Sequence, residues 1–407
     1  MSRKRQSSPI PFFKLQCWMM SDLLEYQKAI THHKDRKARL HKEIKLEESS
    51  EEKRKIAKEI QESSIHQLIY KLMIRNLKEI ADGMAWRLFN YKRTALDIVG
   101  ATKQESAIHF STGLEREIFE LTKYCYESRI ALLNDLTSII DVGDITVRNP
   151  DGKLEFHEIK GSKSSNLRIQ RQDEKQKRAV KFLNDGFYKD GERTYRIENI
   201  DIASDNYLNG VLNVLKDAKN KGYSSNVLSK YLIVECSYVD LFNGQYSVER
   251  VKEKSRNIRK CWDPKEEVVT LSNIMRLKLY PRLYAPYSIF PFPEDICIDL
   301  ISGRAMVFSH INISKIIEIL QNNNWGVVRE TSSVPVLGGP SCSSFLTLTR
   351  GDFRMPLVGS EIIRIGFEFM KVNTILDKLE WIFKKSSIDK RDETWFANLS
   401  SDKEIWD

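Results

Sequence analysis

The sequence predicts a mixed α/β chain: a long helical N-terminal region, an α/β (α+β) core whose mixed sheet is flanked by helices, and a smaller α+β region after it. Three observations carry this. Residues 23–64 contain neither glycine nor proline and are dominated by Lys, Arg and Glu. From Ser138 onward, short β-rich runs alternate with amphipathic stretches long enough to be helices. Beyond residue 250, prolines interleave with aromatics and the elements become shorter. The boundaries that follow are 1–105, 106–250 and 251–407, and 407 residues suit two or three domains.

In the first region, acid and base alternate along Lys34–Arg39 and Glu51–Ile56, which supports i,i+4 pairing on an exposed helix. The apolar seam is thin and no strict heptad holds, so a helical hairpin or stalk is expected. Ile65, Leu68, Ile69, Leu72, Met73, Leu77, Ile80 and Ala81 then recur at helical spacing. They are expected to pack on whatever follows.

The core opens with an amphipathic helix from Leu114 to Cys125. Strand character begins at Ile139-Ile140 and continues through Ile145–Val147. Asn149-Pro-Asp-Gly152 is a tight-turn sequence, with Pro setting φ early and Gly permitting positive φ late. Leu154–Ile159 returns as the second strand of a hairpin. A Ser/Asn-rich loop leads into a basic helix from Ile169 to Leu183, and Tyr195–Ile202, Tyr207–Lys219 and Tyr231–Val239 continue the alternation. Further on, Tyr280–Pro293 reads as an ordered connection buried by its own aromatics. Ala305–Phe308 and Phe345–Leu348 read as strands, and Val372–Lys384 as a helix.

Composition narrows the function. Apolar residues make up 41% and charged residues 30%, enough for true cores and too much order for a disordered chain. No apolar run is long enough to span a bilayer, and Ile10–Met20, broken by Pro11, Lys14 and Gln16, is no signal-peptide core. The chain therefore reads as intracellular and cytoplasmic, with no membrane partner. Its six cysteines form no CxxC or Cys/His cluster, so neither a zinc ribbon nor a disulfide framework is indicated. No GxxxxGK[ST] loop is present, which argues against ATP hydrolysis. With 65 Lys+Arg against 56 Asp+Glu, the net charge of +9 favours a polyanionic partner.

The stretch that carries chemistry is Gly143–Lys160. Glu158-Ile159-Lys160 is an E-x-K triplet at a strand end, and residues two apart on a strand project to the same face. The turn at Pro150–Gly152 folds Asp144 back towards that end. Two converging carboxylates repel each other unless a cation intervenes, and their hard oxygens suit Mg²⁺, or Mn²⁺ in its place. A neighbouring lysine can orient or deprotonate an attacking water. The triplets Glu43–Lys45 and Glu51–Lys53 also match E-x-K, but both lie in the charged helical region with no hairpin and no paired aspartate.

At these residues the chain resembles the PD-(D/E)XK nuclease superfamily, the restriction-endonuclease-like fold of many restriction, recombination and repair enzymes. The resemblance spans residues 108–240, although Gly143 stands where the motif's name has proline. It implies that Asp144 and Glu158 hold the metal and that Lys160 is the catalytic lysine. It also implies a further acid on the first helix, Glu117 with Glu115 competing, and a glutamine on the helix after the lysine. Gln172 is favoured for that role over Gln176, with Gln170 at the helix start. Asp141 is a weaker rival to Asp144. The implied activity is Mg²⁺-dependent hydrolysis of DNA, endonucleolytic rather than exonucleolytic. Large flanks around such a core are similar to those of restriction and phage-defence nucleases.

Between Lys160 and Lys181, eight Lys/Arg face two acids, a local excess of +6 beside the proposed metal site. Lys163, Arg168, Arg171 and Lys175 are the candidates for phosphate contact. The N-terminal helices are the candidate surface for a homo-oligomer or partner protein. An alternative reading keeps the nuclease fold as a nucleic-acid-binding or scaffold subunit without catalysis.

Overall fold

A computed structural model describes residues 9–99, 114–159, 167–190, 193–200, 205–238, 260–278, 284–329, 344–386 and 393–399, with 202, 253 and 256–258 between them. The fold is mixed α/β with a long N-terminal helical region. It divides into two packed units. The first comprises residues 1–85 with 106–176, and the second residues 86–105 with 177–407.

The first unit begins with the expected helical hairpin, α1 (Pro9–Leu46) and α2 (Ser50–Leu88). Helix α1 starts well before the charged stretch because Pro9 and Pro11 fall in its first turn, where a missing N–H costs nothing. The hairpin is held by an Arg36–Glu59 ion pair of 2.9 Å and by rings: His33 stacks on His66 at 4.9 Å, and Tyr26 lies 5.9 Å from Tyr70. Near the start of α1, Gln16, Met19, Met20 and Leu23 are buried at helical spacing. One expectation fails here. Ile65, Leu68, Ile69 and Leu72 are 40–58% exposed instead of packed, and burial along α2 becomes continuous only from Ala81.

Helix α4 (Leu114–Tyr126) follows the short α3 (Arg93–Val99) of the second unit. It packs on an antiparallel sheet of β1 (Ile130–Leu133), β2 (Ile145–Arg148) and β3 (Leu154–His157), in the order β1-β2-β3. Leu132, Leu133, Ile145, Val147, Leu154 and Phe156 form its core with Leu121 and Tyr124 of α4. The predicted turn closes β2 and β3: Gly152 N–H donates to Asn149 C=O at 2.8 Å, with Gly152 at φ 88°. The basic helix α5 (Leu167–Asp185) comes next.

Two expectations about this sheet are corrected. Its first strand is Ile130–Leu133; Ile139 and Ile140 are buried in the loop after it and form no named strand. The sheet is also purely antiparallel and three-stranded where a mixed sheet was expected. The reason lies at the outer edge of β1. The buried side chain of Gln16 donates to Ala131 C=O at 2.9 Å and accepts from Leu133 N–H at 2.8 Å, as a neighbouring strand would. The strands expected to extend this sheet pair elsewhere.

Those strands belong to the second unit. Strands β4 (Phe187–Asp190) and β5 (Arg193–Ile200) form a sheet with β13 (Glu393–Leu399), which runs parallel to β5. Helix α6 (Leu208–Lys221) covers β6 (Tyr223–Ser229) and β7 (Leu232–Tyr238). These two join β9 (Ala305–Asn312) and β8 (Val268–Ser272) in the order β6-β7-β9-β8. Helix α7 (Glu294–Ser302) packs on β9, and α8 (Ile313–Asn322) follows it. Strands β10 (Gly326–Arg329), β11 (Ser344–Arg350) and β12 (Phe353–Val358) form a third sheet, followed by α9 (Gly359–Phe367) and α10 (Val372–Ser386). Tyr284, Tyr287, Phe290 and Phe292 are buried, so the described part of the proline-aromatic segment is an interior connection as expected.

Candidate active site

The two acids singled out from the sequence lie at the adjoining ends of β2 and β3. Asp144 precedes β2, and Glu158 leaves the end of β3. Asp144 N–H donates to His157 C=O at 2.8 Å, while its Oδ2 accepts Ile159 N–H at 2.6 Å. Asp144 therefore grips the backbone on both sides of Glu158, its carboxylate standing in for a ladder partner where the strand runs out. Burial pushes the Asp144 carboxyl above its usual value, and the Ile159 N–H pulls it partly back.

The approach to Asp144 is fixed by two residues. Gly143 has φ 71°, and a Cβ there would lie 3.1 Å from both His157 O and Gln176 Nε2. Positive φ and these close approaches together call for glycine at position 143. Asn134, buried at the end of β1, spans the loop: its Nδ2 donates to Val142 and Gly143 C=O at 2.8 and 3.0 Å, and its Oδ1 accepts from Thr146 Oγ1 at 2.7 Å. Deeper in the same loop, buried Asp82 of α2 accepts from Ser138 N–H at 2.7 Å and from the Ser138 hydroxyl. Burial pushes Asp82 up to about 7 against those two hydrogen bonds.

Glu117 enters from the first turn of α4. It is 7% exposed, and its buried Oε2 has no hydrogen-bond partner. Burial, then the charges of Asp135 and Asp144, push its carboxyl up to about 7, and no described basic side chain offsets them. Glu115, the competitor, is exposed on the same helix. Asp141 is exposed in the loop. On α5, Gln176 Nε2 lies 3.5 Å from Glu158 Oε2, a long contact that places the alternative glutamine beside the site. His157 is half-buried, its ring 5.2 Å from Tyr124 and its Nε2 3.2 Å from Glu155 Oε2.

Lys160 and Lys163 lie outside the described residues. Arg168, Arg171, Gln172 and Lys175 lie on α5, and their side chains are likewise outside the description. Sequence reasoning missed Asp135, Asn134 and Asp82. The first two directly follow the apolar run Ala131–Leu133, a strand end that could have drawn attention to them.

A hard divalent cation suits the chemistry of this donor set. A buried carboxylate with an orphaned oxygen, raised by two neighbouring acids, is what such an ion would relieve. As the side chains stand, no three His, Cys, Asp or Glu among the described residues are close enough together to hold one metal ion. No helix among the described residues is long and apolar enough to cross a membrane. No family model, curated protein or solved structure matches the chain.

Proposed function

We propose that the ends of β2 and β3 form the active site of a metal-dependent nuclease of the PD-(D/E)XK type, which hydrolyses phosphodiester bonds of DNA endonucleolytically. One observation carries the reading: Asp144 grips the backbone on either side of Glu158, while Glu117, buried with an unpartnered oxygen, lies within electrostatic reach of Asp144 and Asp135. The element order α4-β1-β2-β3-α5, with the acids at adjacent strand ends, supports it. Nucleases with large flanks of this kind act in restriction and phage defence, and the same setting is proposed here.

In this reading Asp144, Glu158 and Glu117 would hold Mg²⁺ or Mn²⁺ by side-chain rotation about fixed backbone positions. The bound ion would supply Lewis-acid charge at the scissile phosphate. Lys160, two residues beyond Glu158, takes the proton of the attacking water or orients it. Gln176 steadies the Glu158 carboxylate. Lys163, Arg168, Arg171 and Lys175 neutralise phosphates along the strand and set its register without reading sequence.

A second reading keeps the fold as a DNA-binding subunit without catalysis. The observation favouring it is that no three described acids already stand at ligand distance. One experiment separates the two. Purified chain is incubated with plasmid and with single-stranded DNA, with and without Mg²⁺ or Mn²⁺, beside Asp144→Ala and Lys160→Ala, and binding is measured separately. The nuclease reading expects metal-dependent cutting that falls at least about a hundred-fold in each variant while binding persists. Binding without cutting in every form supports the second reading and overturns the first.

A further inference from the structure

The sheet β6-β7-β9-β8 of the second unit brings a hydroxyl, an imidazole and a carboxylate to one face, and register fixes that placement. Thr270 on β8 lies opposite His310 on β9, and His310 lies opposite Ile233 on β7. Glu235, two residues further along β7, therefore shares their face. Asn273 N–H donates to Val307 C=O and Ile313 N–H to Glu267 C=O, so the odd-numbered residues of β8 hold the ladder to β9. Thr270 and His310 are thus a non-hydrogen-bonded pair, the kind whose side chains stand closest. Helix α9 packs on the other face, where Ser309 Oγ donates to Gly366 C=O at 2.6 Å.

Both nitrogens of His310 have a neighbour. Nδ1 lies 2.8 Å from Thr270 Oγ1, and Nε2 lies 3.1 Å from Glu235 Oε1. A carboxylate beside Nε2 favours the ring hydrogen on that nitrogen, which leaves Nδ1 to accept from the Thr270 hydroxyl. Exposure falls along the row: Thr270 is half-buried, His310 is 3% exposed and Glu235 1%. The contact between Nε2 and Oε1 is not aligned as a hydrogen bond, so two buried polar atoms face each other unsatisfied. A positive charge on the imidazole is what that carboxylate is placed to receive. An accessible hydroxyl, a buried base and a buried acid behind the base make the arrangement that activates a nucleophile. Among the described residues β8 is the outer strand of its sheet, and the ladder turns the Thr270 N–H away from β9. That N–H is a donor for charge developing on an oxygen beside Oγ1.

We propose that Thr270 is the nucleophile of a second reactive centre, which accepts the acyl group of a carboxylic ester, with His310 as its base and Glu235 behind the base. Thr270 Oγ1 bonds to the ester carbonyl carbon while its proton passes to His310 Nδ1. The bond from that carbon to the leaving oxygen then breaks, and the proton departs with the alcohol. Water repeats the step on the acyl-threonine: it gives a proton to Nδ1, attacks the carbonyl carbon, and releases the carboxylic acid as Oγ1 regains its hydrogen. All three residues belong to the second unit, so the inference is independent of the chemistry proposed for the acidic cluster.

Incubating the full chain with p-nitrophenyl acetate tests it. Nitrophenolate release is followed in time, and the acetyl group is located by peptide mass spectrometry. The wild type is expected to show a burst of release and an acetyl group on Thr270. Thr270→Val keeps the shape of the side chain without its hydroxyl and is expected to abolish the adduct and slow release at least about a hundred-fold. Thr270→Ser is expected to restore both, with the acetyl group on residue 270. His310→Gln is expected to slow acetylation about as much as Thr270→Val, although the hydroxyl is still present. Circular dichroism and thermal melting of each variant report folding, and the Val and Ser variants decide the matter if His310→Gln does not fold. A wild type that acquires no acetyl group at Thr270 overturns the proposal. So does release that is unchanged in Thr270→Val, or acetylation of Thr270 that is indifferent to His310→Gln in a folded chain.

Discussion

Glu117 in the first unit and Glu361 in the second are each 7% exposed, yet their carboxyls are driven in opposite directions. At Glu361 burial would raise the carboxyl, but Lys378 and Arg364 overcome it and bring it down to about 2. Lys378 Nζ lies 2.5 Å from Oε1, and Arg364 Nη1 lies 3.6 Å from Oε2. Nearby, Glu368 is gripped by Arg93, by Arg364 at 3.0 Å and by Ala285 N–H at 2.9 Å. At Glu117 the neighbouring charges are Asp135 and Asp144, and the carboxyl rises to about 7. Each keeps one buried oxygen without a hydrogen-bond partner, so equal burial leaves an acid neutralised by neighbouring cations in one unit and an acid beside other acids in the other. Where a fold supplies its own cations, a buried carboxylate is architecture. Where it gathers only acids, the carboxyl holds a proton or meets a cation from outside.

The sharpest way to break this comparison is to neutralise both acids. Glu361→Gln leaves Lys378 and Arg364 facing each other with less compensation and is expected to cost about 3–5 kcal/mol, as the loss of one partner from a buried ionic network does. Glu117→Gln removes a charge that has no described counter-ion and is expected to be neutral or stabilising without metal. Urea unfolding followed by amide exchange, peptide by peptide, reads each unit separately. Equal losses in the two variants would erase the distinction.

A smaller effect sharpens it, because pH should move the two units in opposite senses. The folded-state values of Glu117 and Asp82 are raised, so their contribution to stability is full below the ordinary carboxylate range and is lost as pH rises through about 7. That of Glu361 is depressed, so its contribution is full above the ordinary range and is lost as pH falls towards about 2. Calorimetry of the metal-free chain is expected to show the first unit's transition moving down between about pH 4 and pH 7. Mg²⁺ or Mn²⁺ at ten times its dissociation constant should return about 1.4 kcal/mol at the upper pH. Glu117→Gln should reduce both the pH slope and the metal response. A metal response that survives Asp144→Ala and Glu117→Gln would locate the ion elsewhere.

How far this contrast could be read from the sequence depended on whether each residue acts through local or distant neighbours. The hairpin β2–β3 was legible because turn chemistry and alternation are local, and Asp144 and Glu158 came with it. The helical hairpin was legible from charge density and the absence of glycine. The antiparallel closure of the sheet was not, since it depends on Gln16 reaching an edge more than a hundred residues away in sequence. Asp82 was hidden for the same reason: it sits on a charged helix and acquires its role only through Ser138. The burial of Glu361 and Glu368 depends on Arg93, some 270 residues upstream, and no periodicity reports that. The stripe on α2 misled in the other direction, because helical spacing shows that a face is apolar and not what covers it.

The smallest effect concerns Gln176, whose amide lies beside Glu158. Its Nε2 lies 3.5 Å from Glu158 Oε2 and would lie 3.1 Å from a Cβ at position 143, so its position is set as much by the glycine as by the carboxylate. At that length the contact contributes little to folding, and Gln176→Ala is expected to change stability by less than about 0.5 kcal/mol. Its proposed task is to orient Glu158, so a several-fold weaker Mn²⁺ affinity, measured by calorimetric titration, is expected, with Gln176→Asn recovering part of it. Gly143→Ala attacks the same contact from the other side. It forces a side chain into positive φ as well as against Gln176, and it should lower metal affinity further than Gln176→Ala while also costing stability. If Gln176→Ala left metal affinity unchanged and Gly143→Ala lowered stability alone, the glutamine would be packing, and the acidic cluster would depend on its carboxylates without help from α5.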